Sequence, residues 1–158
     1  SMEAAYALAG RVSNSAEVAS RARVSRTKEL TRSFQQEITS LLAAPGFKVA
    51  ANFQSFVITV DSQIRLQVYL SWRRSFTREP AWYVQRRRLA RSDWRLVVRL
   101  DDQSAPLDYF LVPDHERPSF PMLLREEHLP ELAVLRLPSL NELPGRLKQT
   151  TEIHNHNT

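Results

Sequence analysis

The sequence contains no cysteine. Disulfide scaffolds, thiolate zinc sites, iron–sulfur clusters and cysteine nucleophiles are therefore excluded. Glycine is almost as scarce, with 3 residues in 158. No G-x-G-x-x-G, Walker or G-x-S-x-G pattern occurs, which argues against a nucleotide cofactor held by a glycine-rich loop. No apolar run approaches the ~20 residues of a membrane span. The first ten residues lack the basic region of a signal peptide, and Ser1-Met2 reads as a cleavage scar ahead of a native start. These absences predict a cytoplasmic protein with no membrane partner. The remaining composition, 42% hydrophobic and 25% charged, is that of a globular domain. At 158 residues the chain fits one domain and buries enough surface to fold without staples.

Lysine is also rare, and arginine takes its place. Lys+Arg number 22, and only Lys28, Lys48 and Lys148 are lysines. Residues 1–50 carry 7 basic and 4 acidic groups, a net +3. Residues 51–100 carry 10 and 3, a net +7, and residues 101–158 carry 5 and 10, a net −5. Clustered arginine is the footprint of a phosphate-backbone binder. Its planar fork matches phosphate oxygens bidentately and stacks on bases.

The pattern of apolar residues predicts a mixed α/β domain. Short helices are expected over residues 3–11 and 16–23, separated by Gly10 and the Ser13-Asn14-Ser15 cluster. Leu30, Phe34, Ile38, Leu41 and Leu42 then mark one face of a helix that Ala44-Pro45-Gly46 stops. Strands are predicted at 47–50, 52–60 and 64–70, with Asp61-Ser62-Gln63 as a three-residue hairpin loop. In that hairpin Ile64, Leu66 and Val68 should face the helix. Residues 71–80 read as a basic loop, and 82–89 fit a strand or a helix equally. Residues 94–100 and 107–112 form a second hairpin across a polar turn. A short helix near 122–128 and a last one near 139–149, with the S-x-x-E box of Ser139 and Glu142, complete the reading. The organisation is a helical segment over 1–26, a single domain over 27–149 and a disordered tail over 150–158. The fold class is α/β, a mixed sheet of about five strands flanked by helices.

This order of helix, hairpin, basic loop, hairpin and helix resembles the PD-(D/E)XK restriction-endonuclease-like core over residues 27–113. Glu37 lies at the place of the helix glutamate, Asp61 in the hairpin, and Gln67-Val68-Tyr69 at the place of (E/Q)-x-K. Asp93 leading into Trp94–Val98, then Asp108–Pro113, resembles the closing strands. The resemblance implies Glu37, Asp61 and Gln67 as catalytic positions and Mg²⁺ as cofactor, if the motif is active. In such a site paired carboxylates hold the metal, and the lysine assists the attacking water. Here Tyr69 replaces the lysine, and no acid lies between Gln54 and Val60. The implied centre is degenerate, and no resident cofactor is expected.

Residues 16–27 resemble a bacterial helix-turn-helix, extended by 27–35. Val18, Ala19, Ala22 and Val24 would lie between its helices, and Arg26, Thr27, Lys28 and Thr31 in a major groove. The turn glycine is replaced by Arg23. A third constellation joins Trp72, Arg73, Arg74, Phe76, Arg78, Trp82, Tyr83, Arg86, Arg87, Arg88 and Arg91. Arginine supplies phosphate contacts, and exposed rings stack on bases. The plainer alternative makes the tryptophans core anchors. His115, His128, His154 and His156 show no trusted metal-ligand spacing.

Taken together, the residues predict a nucleic-acid-binding module, with DNA as partner, on a catalytically degenerate nuclease-like fold. Its expected setting is a larger complex in recombination, transposition, restriction or regulation. Two alternatives stay open: a Mg²⁺-dependent endonuclease with migrated acids, and a protein–protein interaction domain.

Overall fold

A computed structural model describes the backbone of residues 2–74 and 78–156, and the side chains of residues 18, 21, 22, 24–74 and 78–150. The N-terminal 42 residues form one helix, α1 (Met2–Ala43). The breaks expected at Gly10 and at Ser13–Ser15 do not occur. Glycine inside a helix costs only about 1 kcal/mol, and the first proline of the chain is Pro45. Nothing before Pro45 therefore forbids the helical hydrogen-bond ladder. The helix stops where expected, with Gly46 at φ +107°, a conformation that favours glycine.

Three antiparallel strands follow: β1 (Val49–Asn52), β2 (Val57–Val60) and β3 (Ile64–Ser71). The expected strand over 52–60 is shorter than predicted. Asn52 Oδ1 accepts the N–H groups of Gln54 and Ser55, and this Asx turn bends the chain into the β1–β2 hairpin. The three-residue loop Asp61–Gln63 is as expected. Asp61 and Ser62 sit at φ 53° and 59°, and Val60 pairs with Ile64.

The chain then crosses over through β4 (Ala81–Tyr83) to β5 (Trp94–Leu100), which lies parallel to β3. β5 turns back into β6 (Pro106–Pro113), and β8 (Arg136–Leu137) closes the sheet. The six strands run in the order β1-β2-β3-β5-β6-β8. β4 leaves this sheet and pairs with β7 (Leu123–Arg125) in a separate ribbon. The short helix expected near 122–128 is therefore β7 followed by a 3-10 turn. Ser139 caps a 3-10 turn, its Oγ accepting the Asn141 N–H at 3.2 Å. α2 (Leu143–His156) begins after that turn. It extends into the stretch read as a tail.

Alternation along the strands divides the core in two. On the first face Leu66, Val68, Leu70, Leu96, Val98 and Leu111 pack with Phe34, Ile38 and Leu42 of α1 and Leu143 and Leu147 of α2. The hairpin thus meets the helix as its periodicity predicted. On the second face Tyr69, Val97, Phe110 and Val112 pack with Trp82, Val84, Phe120 and Leu124. Both helices therefore lie on one face, and the β4–β7 ribbon covers the other. The expectation of a sheet flanked by helices holds for one side only. β3 and β5 are buried on both faces, which suits a parallel pair.

Ile38 is fully buried at the centre of the helix-side core. An Ile38→Ala variant should lose about 2–5 kcal/mol in urea unfolding, because the removed methyl groups leave a cavity.

Candidate nucleic-acid interface

Three second-face positions follow one another along β5: Arg95, Val97 and Arg99. Two of them are arginines, each 4% exposed. Arg99 is paired. Its Nε and Nη2 donate to the two Asp108 carboxylate oxygens at 2.8 and 2.7 Å. Arg136 Nε reaches Asp108 Oδ2 at 3.0 Å, and Arg99 Nη1 reaches Glu126 Oε1 at 3.2 Å. The Arg99 guanidinium lies 4.6 Å from the Trp82 ring centroid. Burial alone would lower the Arg99 pKa, but the hydrogen bonds and charge of Asp108 and Glu126 push it up. This network clamps the β4–β7 ribbon onto the sheet.

Arg95 has no carboxylate bonded to it. It donates to the Gln85 carbonyl, and its Nη2 donates to the Arg87 carbonyl at 2.8 Å. Its Nε is buried without a partner among the described residues. Burial lowers its pKa and the nearby Arg117 charge lowers it further, with Tyr69 and Asp114 opposing. Arg117 donates to the Arg86 carbonyl and, through Nε, to Asp114 Oδ1 at 3.2 Å. Three successive carbonyls of loop 84–93 are thus capped by guanidinium donors, in place of a strand ladder. Tyr69 anchors the same loop, its hydroxyl accepting the Gln85 N–H at 3.0 Å. Burial raises the Tyr69 pKa above the usual phenol value. At the family's lysine position, this side chain holds the loop.

With its backbone satisfied inward, the loop turns its side chains out. Arg86, Arg87, Arg88 and Arg91 are all exposed. Arg86 Nε touches the Phe120 carbonyl at 3.3 Å, and Arg88 pairs with Asp114 at 2.5 Å. Burial opposes ionisation of Asp114, but Arg117 and Arg88 together hold its pKa below the usual carboxylate range. Arg65 is exposed at the same end of the sheet, where its backbone exchanges hydrogen bonds with Asp93.

The basic stretch predicted as one surface is divided in two. Arg73 pairs with Asp102 in the β5–β6 turn at 3.4 Å. Arg74 lies 4.5 Å from the Tyr83 ring centroid, and Arg78 is exposed in the same segment. Asp102 and Asp114 flank opposite ends of β6, whose eight residues span roughly 25 Å. Arg73 and Arg74 therefore stand at one end of the sheet, and Arg86 and Arg88 at the other. The tryptophans do not form a stacking platform. Trp72 packs against the helix-side core. Trp82 is 4% exposed, and its Nε1 donates to the Leu100 carbonyl at 2.7 Å. Phe76 lies outside the described residues.

The implied catalytic positions are not gathered either. Glu37 is exposed on α1, close enough to the first-face Tyr109 to raise that phenol's pKa after burial has done so. Gln67 is buried on the second face, paired in register with Arg95. Asp61 sits in the turn, where it accepts the Lys48 N–H at 2.8 Å and ties β1 to β2. Among the described residues, no three His, Asp or Glu side chains form a group able to hold a metal ion.

The helix-turn-helix geometry is also absent, because residues 16–27 are one continuous part of α1. Val18 and Val24, expected between two helices, are 65% and 52% exposed. Thr31, expected to face a groove, is buried and donates to the Thr27 carbonyl at 2.7 Å. The side chains of His154 and His156 lie outside the described residues.

Sequence reasoning missed Arg95, Arg117 and Asp114. One signal was present: arginines two apart from Val97 on the same face of an otherwise apolar strand. No protein-family model and no curated protein matches the sequence.

Two substitutions separate the buried network from a surface pair. Asp108→Ala strands the buried Arg99 charge and should cost about 3–5 kcal/mol in chemical unfolding. Asp102→Ala frees only the exposed Arg73 and should change stability by about 0–1 kcal/mol.

Proposed function

We propose that this chain is a nucleic-acid-binding module that grips duplex DNA by its phosphate backbone through loop 84–93. The observation that carries the reading is the loop's construction. Its carbonyls are consumed by Arg95 and Arg117, so Arg86, Arg87, Arg88 and Arg91 are presented together to solvent. The only carboxylate ion-paired with this group is Asp114. Like charges held this close are stabilised by a polyanion, and released counterions supply the binding free energy. Trp72 and Trp82 belong to the two cores, which favours backbone contacts over base stacking. The scattered placement of Glu37, Asp61 and Gln67 favours binding without cleavage. The mixed sheet with parallel β3 and β5 is compatible with a nuclease-like layout. No helix among the described residues is long and apolar enough to cross a membrane.

The test is a salt titration of duplex binding. The parent should bind duplex DNA at about 50 mM salt, with log K falling linearly in log salt. A combined Arg87→Ala, Arg91→Ala variant should stay folded and bind more weakly. Its salt slope should flatten by about 0.9 for each lost phosphate contact. Removing Arg73 and Arg78, at the far end of the sheet, should leave that slope nearly unchanged. Equal loss from both pairs would overturn the assignment to loop 84–93. No duplex binding at low salt would overturn nucleic-acid binding and favour a protein-interaction role. Plasmid DNA incubated with Mg²⁺ or Mn²⁺ should remain uncut on a gel.

A further inference from the structure

Where loop 84–93 meets the second face of the sheet, a cleft is lined by Arg86, Arg95 and Arg117 over a wall of Val97, Val112 and Phe120. Its charges do not balance. Four guanidinium groups, Arg86, Arg88, Arg95 and Arg117, meet one carboxylate, Asp114, an excess of +3. Asp93 does not correct this, because its carboxylate takes the Arg65 amide.

The donors are not used up either. Arg86 bonds only through Nε, and Arg117 only through Nε and Nη1. Both Arg86 terminal nitrogens and Arg117 Nη2 therefore remain available among the described residues. Arg95, 4% exposed, keeps an unpartnered Nε. A buried donor without an acceptor is costly to maintain. Such a guanidinium usually has a carboxylate beside it. Here two carbonyls hold it in place and leave its charge uncompensated.

We propose that this cleft binds a single phosphate group, as a phosphomonoester or inorganic phosphate. This goes beyond general contact with a duplex backbone, and it rests on the nucleic-acid reading only in taking a strand end as the natural source. A dianion answers the charge excess better than a carboxylate does. Its several oxygens can accept from separate arginines, which a single carbonyl cannot. The apolar wall thins the water on one side and strengthens each of these bonds. Asp114, gripped by Arg88 and Arg117, already shows that the site holds an oxyanion.

Thermal unfolding with inorganic phosphate tests the site directly. Phosphate at about ten times its dissociation constant should raise Tm by about 3 °C or more over chloride of equal ionic strength. Arg86→Gln removes an exposed side chain and should lose most of that response while remaining folded. Arg73→Gln, with the same charge change at the far end, should keep it. Arg95→Met should lose the response too, and Arg86→Gln decides the matter if that variant does not fold. A phosphate effect no larger than that of chloride overturns the proposal, as does equal loss in Arg86→Gln and Arg73→Gln. A duplex bearing 5′-phosphates that binds at least fivefold tighter than its 5′-hydroxyl form assigns the phosphate to strand ends. Equal binding of the two, with the Tm response kept, assigns it to a free phosphate. Duplex binding without a phosphate response removes the cleft and leaves the loop surface. A phosphate response without duplex binding does the reverse.

Discussion

The second face of the sheet depends on how β5 accommodates two buried guanidinium groups. Charge in a low-dielectric interior is costly unless it is matched. Arg99 solves this with Asp108, which is itself fully buried and also takes Arg136. That match fixes three pieces of chain at once: β5, β6 and the segment leading into β8. It also presents a cationic face to Trp82, so the ribbon of β4 and β7 has one seat. Arg95 solves the same problem differently, by accepting backbone carbonyls of loop 84–93 as partners. The clamp and the loop are thus two outcomes of one constraint, placed four residues apart on one strand.

This arrangement links stability to surface charge. A loop of ten residues without a ladder must satisfy its carbonyls somewhere. Here the donors are arginines, each bringing a positive charge beneath a loop that is already basic. The result is a site with fixed geometry and a surplus of charge. Loops held rigidly over a sheet commonly carry binding function. The residues that position this one, Arg95, Arg117 and Tyr69, are separate from those it presents.

The same logic explains why the nuclease-like reading supplies a layout and no chemistry. Metal-assisted hydrolysis needs carboxylates converging at one point. Glu37 is on the helix side, Gln67 points to the opposite face, and Asp61 is consumed in closing a hairpin. Tyr69 holds the loop by its hydroxyl. Each of these positions performs a local structural task that a catalytic centre would compete with.

The sequence by itself determined the elements whose signal is periodic. The apolar repeat from Leu30 to Leu42 dictated the body of α1. The alternation from Ile64 to Leu70 dictated β3 and its inward face, and the Asp61–Gln63 turn dictated the hairpin between β2 and β3. These follow from side-chain spacing along a single element. The arginine excess of residues 51–100 was equally plain. What the sequence could not contain was which arginines share a surface. Arg73 and Arg88 are close in the chain, yet β3 carries one away and the return loop brings the other back. Burial of Arg95 and Arg99, capture of Asp114, and the choice of strand over helix at Ala81–Tyr83 all depend on partners far along the chain. Local propensity carries no information about such partners, because their energy exists only once the sheet has assembled. The uninterrupted run of α1 shows the converse. Gly10 and the Ser13–Ser15 cluster weaken a helix locally, and such weak preferences yield where no proline enforces a stop.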